Sequence, residues 1–136
     1  MTSETRLRIS LLLLRLGVFL VMAIWTIDKF VNPSHAAGIF EKFYAIPGVG
    51  SALVWGLAVL ELALILAFVA GLKKRLTYGV IMVLHGVSTF SAFRQYFAPF
   101  EGSHLLFFAA WPMLAACIAL YLLRDQDRLL TVSARS

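Results

Sequence analysis

Charge is what this sequence has least of. Only 14% of its 136 residues are Asp, Glu, Lys or Arg, against 61% hydrophobic, and the mean hydropathy is +0.88. A soluble domain of this length carries nearer a quarter charged and half apolar residues. A water-soluble globular fold is therefore excluded, and the chain reads as an integral membrane protein. Cysteine is almost missing as well. The single Cys117 excludes an internal disulfide and any CxxC thiol-exchange centre, and its apolar surroundings make it a small buried hydrophobe. Acidic residues are outnumbered, seven to 12, for a formal charge of +5. The cations cluster just past apolar runs, where they set topology and touch anionic lipid instead of nucleic acid. No stretch is left over for a soluble domain, so residues 1–136 are expected to form one membrane domain. A cleavable leader is not expected. Ser34-His35-Ala36 imitates a cleavage site, but the apolar segment before it is too long and contains Arg15.

What the chain does have is four long apolar runs, at about 9–30, 51–70, 76–97 and 105–123. About 20 residues at 1.5 Å each cover the ~30 Å hydrocarbon core of a bilayer. Four such spans with short connections predict an all-α antiparallel four-transmembrane-helix bundle. Between the first two spans, Asn32-Pro33-Ser34 is a helix-start signal. From there to about Tyr44, Ala37, Phe40, Phe43 and Tyr44 recur at helical spacing, which predicts a short amphipathic helix in the membrane interface. Two arginines precede the first span, Lys73-Lys74-Arg75 joins the second to the third, and two arginines follow the fourth. The positive-inside rule then places both termini and the Lys73–Arg75 turn in the cytoplasm.

The charges inside the spans carry the functional question. Glu61 is the only charge between Ser51 and Ala70, and a carboxylate at that depth costs about 2.5–3.5 kcal/mol unless it is paired or protonated. It lies ten residues before Gly71, and His85 lies ten residues after Arg75. Both are thus roughly 15 Å from the same turn, so a Glu61–His85 contact between neighbouring helices is expected. Two readings of that pair stand side by side: a polar contact that fixes helix register, and a proton-handling pair with coupled titrations. Metal or haem ligation by His85 is disfavoured because no second histidine shares its depth; His35 and His104 are expected at the outer surface. Tyr78, Ser88, Thr89 and Tyr96 share the face of His85. Arg15 is close enough to one membrane face to snorkel to the headgroups.

A second polar group gathers at the outer ends of the spans: Asp28, Lys29, Arg94, Glu101 and His104. An interfacial belt is one explanation. A site floored by an Asp28–Arg94 pair and covered by the Pro33–Tyr44 helix is the other. Opposite Glu61, residues Ala52, Gly56, Ala63, Ala67 and Ala70 form a small-residue stripe of the kind that lets helices approach closely in lipid. It is a candidate surface for another helix or for a second copy of the chain.

Arg15-Leu16-Gly17, Asp28-Lys29-Phe30, and Glu61 followed by Gly71 and Arg75 resemble the DoxX-like family of small four-helix bacterial membrane proteins. The resemblance covers about residues 6–123. Thr26 stands where the family usually has Gly, and Ile65 replaces a Gly four residues after Glu61; both departures concern packing more than chemistry. The resemblance implies a bacterial inner-membrane bundle associated with redox systems, some relatives being subunits or companions of oxidoreductases. On this reading the chain is an accessory membrane subunit, quinone-proximal, in which Glu61 and His85 handle protons and Tyr78 and Ser88 line the same cavity. Asp28, Lys29, Arg94 and His104 complete the candidate ligand-binding residues. The side chains hold no electrons themselves, so oxidoreductase activity requires a redox partner protein or a bound cofactor. Two alternatives remain open: a proton-coupled transporter or channel using Glu61, and an assembly scaffold docking through the small-residue stripe.

Overall fold

The computed structural model describes residues 1–132, and every regular element among them is helical. Helix α1 runs from Ser3 to Val31. Its first turn is capped by Thr2, whose side chain accepts from the Thr5 amide at 3.1 Å, satisfying a donor that the helix itself cannot. It ends at Asn32 because the following Pro33 disfavours a helical residue before it. Pro33 then opens α2, Pro33–Tyr44, where a missing N–H costs nothing.

Helix α3, Ser51–Val69, ends in a tight motif. The Gly71 amide donates to Phe68 O at 3.0 Å and the Leu72 amide to Ala67 O at 2.9 Å. This closure needs a left-handed residue at Gly71, whose φ is +70°. Helix α4 follows as Lys74–Ser91, then a break at Ala92 and one turn, α5, Phe93–Tyr96. A 3-10 segment, His104–Ala109, leads directly into α6, Ala110–Leu122. Pro112 therefore sits in the first turn of α6 and interrupts no α-helical hydrogen bond. A last 3-10 turn covers Arg124–Gln126.

Three helical stretches are long and apolar enough to cross a membrane: Ser3–Val31, Ser51–Val69 and His104–Leu122. Helix α4 is not among them, because Lys74, Arg75, Tyr78 and His85 dilute its apolar content. The exposed surface and the buried charges are unlike those of a soluble protein. Leu13, Leu60, Val83 and Leu106 are exposed, while Arg15, Lys74, His85, Thr89, Gln95 and Asp127 are buried. Apolar outer faces, with polar and charged groups buried among the helices, suit lipid as the solvent. This is a membrane protein.

Helix α1 packs most extensively on α3, and α4 on α6, with further contacts of α3 on α4 and α1 on α6. Leu11, Val18, Ile65, Phe68, Ile81 and Leu120 form the centre, with Cys117 buried among them. One end of the molecule carries the Gly71–Arg75 turn and the segment after α6; we call it the basic end. The opposite end carries α2.

Candidate functional site

On α3, Val54, Ala58, Ile65 and Phe68 are buried. Their spacing of four, seven and three residues defines one helix face, and Glu61 falls in the middle of it. That face meets α1. Glu61 Oε2 pairs with Lys29 Nζ at 2.8 Å, and Thr26 Oγ1 lies 2.9 Å from Glu61 Oε1 and 2.8 Å from Met22 O. Side chains in a helix lean toward its N-terminus. Lys29 therefore leans from the end of α1 into the membrane, and Glu61, on an antiparallel helix, leans out to meet it. The expected Glu61–His85 pair does not form. Equal depth on consecutive helices was not sufficient, because α3 packs more on α1 than on α4 and at Glu61 its buried face meets Lys29 and Thr26. Thr26, read from the sequence as a matter of packing, also brings its hydroxyl to the Glu61 carboxylate.

His85 is buried on α4 and faces α6 and α1. Its Nε2 lies 3.0 Å from Ala110 O, and its ring is 5.9 Å from that of Trp25 at 31° between planes. A carbonyl only accepts, so Nε2 carries the proton, and in the neutral ring Nδ1 is an acceptor. Nδ1 is buried and has no partner among the described residues.

The remaining candidates are spread over several places. Asp28 bonds His35 Nδ1 at 2.6 Å, not Arg94. The α1–α2 junction returns His35 to Asp28 after seven residues, whereas Arg94 is exposed beside the Phe93 ring. Ser88 Oγ is 3.0 Å from the Tyr44 hydroxyl on α2, and His104 Nδ1 is 2.7 Å from Ala98 O. Ser88 bonds to Tyr44 on α2 and Tyr78 to Asp127, so the hydrogen bonds of neither run to His85. Tyr78 reaches the basic end instead.

There lies a group that sequence reasoning passed over. Arg15, expected to snorkel outward, is completely buried. Its Nη1 donates to Asp127 Oδ1 at 2.7 Å, and its Nη2 to the carbonyls of Leu129 at 2.6 Å and Leu130 at 3.2 Å. The Tyr78 hydroxyl donates to Asp127 Oδ2 at 2.6 Å, and Lys74 Nζ to the Asp127 carbonyl. The segment Arg124–Val132 thus folds back across the ends of α1 and α4. The Val132 amide donates to Ala70 O at 2.8 Å, and Thr131 packs on Gly71, where a Cβ would come within 2.6 Å of it. One signal for this was present: an arginine inside a span needs an acidic partner, and Asp125 and Asp127 stand at the matching end of the last span.

No family model, curated protein or solved structure matches the chain.

Proposed function

We propose that the chain is a DoxX-like accessory membrane subunit of a redox system, offering a quinol-facing proton acceptor at His85. The observation that carries this reading is the buried Nδ1 without a partner, beside the Trp25 indole. An acceptor nitrogen in apolar surroundings suits a hydroxyl donor with a flat ring, and a quinol has both. Quinol oxidation releases two protons and two electrons; the electrons pass to a partner oxidoreductase, since the side chains here hold none. His85 accepts one of the two protons at Nδ1 while Nε2 stays fixed to Ala110 O, the second proton leaves to the partner oxidoreductase or to water, and Trp25 provides the apolar wall. Glu61 is reassigned. Paired with Lys29 and Thr26, it joins α1 to α3 and takes no proton from the ligand. Lys29 and Glu61, both among the residues that carry the resemblance, meet directly.

In this reading α4 is the fourth, polar-lined span of an antiparallel bundle in a bacterial inner membrane. The basic end is cytoplasmic by the positive-inside rule, and α2 lies in the opposite interface. Quenching of Trp25 fluorescence by a short-chain quinol analogue, followed in detergent, tests the proposal. Saturable quenching that His85→Ala abolishes and Glu61→Gln leaves intact is expected. Quenching indifferent to His85→Ala, or none, overturns it.

A second reading has its own observation. Ala52, Gly56 and Ala63 are exposed, and nothing lies within 4 Å of a Cβ built on Gly56. The small-residue stripe on α3 is thus uncovered and fits a second copy or a partner helix. Ala63→Leu would lower the oligomeric mass in detergent if the stripe is that surface.

A further inference from the structure

The basic end holds an acid group in an unusually complete way. Both oxygens of the Asp127 carboxylate are engaged, one by Arg15 on α1 and one by Tyr78 on α4. The donors stand on two packed helices; the acceptor stands on an irregular return segment. Rigid donors around a loop-borne carboxylate are the arrangement of a binding site with a ligand in it.

The occupant fits the site imperfectly, in three respects. Arg15 and Lys74 are both fully buried; the Asp127 carboxylate meets Arg15, whereas Lys74 meets only the Asp127 backbone carbonyl. One buried positive charge is left to carbonyl oxygens alone, although buried charges are costly unless they meet an opposite charge. Arg15 Nε, also buried, has no partner among the described residues. To bring two carbonyls onto Nη2, the segment holds Leu130 at φ 52°, a left-handed conformation that disfavours a branched side chain. A dianion would answer the first two at once: it brings a second negative charge and a third acceptor oxygen. Outside the site, Lys73 and Arg75 line an open groove of about 450 Å³ with Leu76 and Tyr121. Consecutive residues of one turn therefore place one cation within the site and two on the surface beside it in sequence.

We propose that Arg15, Lys74 and Tyr78 form a phosphate-binding site, and that Asp127 occupies it in cis as an exchangeable stand-in. The ligand class is a phosphate monoester or inorganic phosphate. A lipid headgroup and a free phosphate share this chemistry and would arrive by different routes. Binding displaces the segment from Asp127 onward, freeing Val132 from Ala70. The inference does not depend on the role assigned to His85.

Arg128 is exposed one residue past Asp127, so trypsin cleavage after it reports release of the segment. Cleavage of a transiently opened segment tracks the open population, and a competitor at about ten times its dissociation constant raises that population roughly tenfold. The intact protein is placed in phosphatidylcholine nanodiscs and cleavage after Arg128 is followed by mass spectrometry, normalised to a reporter peptide. Three additions are compared: inorganic phosphate, chloride at equal ionic strength, and phosphatidic acid in the disc. Saturable acceleration by phosphate but not chloride identifies a soluble ligand. Acceleration by phosphatidic acid identifies a headgroup. Equal effects of phosphate and chloride, or no effect of either phosphate source, overturn the proposal. As a second readout, Asp127→Ala should be thermally stabilised by phosphate, and Arg15→Gln/Asp127→Ala should not. If Asp127→Ala does not fold, the wild-type proteolysis decides alone.

Discussion

Two of the ion pairs among the described residues, Arg15–Asp127 and Lys29–Glu61, lie toward opposite ends and differ in kind. Arg15 and Asp127 leave 1% and 0% of their side chains exposed, whereas Lys29 and Glu61 leave 21% and 15%. The first joins a helix to an irregular segment 112 residues away; the second joins two helices. The first is embedded in further donors from Tyr78 and Lys74, whereas among the described residues the second is supported by Thr26 alone. In lipid, burial raises both the attraction within a pair and the penalty for a charge left alone. The basic end should therefore tolerate the loss of one partner far less than the end near α2.

That asymmetry can be broken at graded points. Arg15→Gln leaves Asp127 buried and short of its cation, and should cost about 3–5 kcal/mol in thermal unfolding from detergent micelles. A loss as small as that of the other pair would mean the two ends are equivalent. Glu61→Gln should cost about 1–2 kcal/mol, between the exposed and buried limits. In a double-mutant cycle with Lys29→Met the two losses should fall short of additivity. Gly71→Ala should cost about 1 kcal/mol or more, since it places a Cβ at φ +70° against Thr131. Adding Thr131→Ala should recover the steric part, which would show that the turn and the return segment are coupled. Thr26→Val, nearly isosteric, removes one hydrogen bond to a carboxylate that keeps its lysine, and should cost about 1 kcal/mol. A temperature shift after Thr26→Val larger than after Glu61→Gln would contradict the order.

Local signals in the sequence carried far, and long-range pairing did not. Helix α2 is legible from Pro33 and the spacing of Phe40, Phe43 and Tyr44, because capping and amphipathic period act within a few residues. That Glu61 needs a partner is legible from its charge, but α3 is apolar on every side, so the face it shares with Val54, Ala58, Ile65 and Phe68 emerges only in the structure. Which helix that face meets is not legible either. Spacing along α3 and α4 gives depth, and depth alone does not distinguish His85 from Lys29. The break at Ala92 was hidden for a related reason: apolar residues continue through Phe93 and Phe97, and composition does not register a local loss of helical geometry. The Arg15–Asp127 pair lies outside any local window. Only an account of charges, matching each buried cation to an anion at its own end, points to it.

The same 112-residue separation has a consequence during biosynthesis. The segment bearing Arg15 leaves the ribosome first, while Asp127 is joined to the chain only after every other helix has been made. Through nearly all of translation the guanidinium has no carboxylate from the return segment to meet. It must stay near the headgroups, solvated or bound to an anion already there. The final inward placement of α1 at this end is then a step that follows synthesis, not one that accompanies it. A nascent chain stalled before Asp127 would expose the arginine to labelling by an aqueous reagent, and one extended past Val132 would protect it.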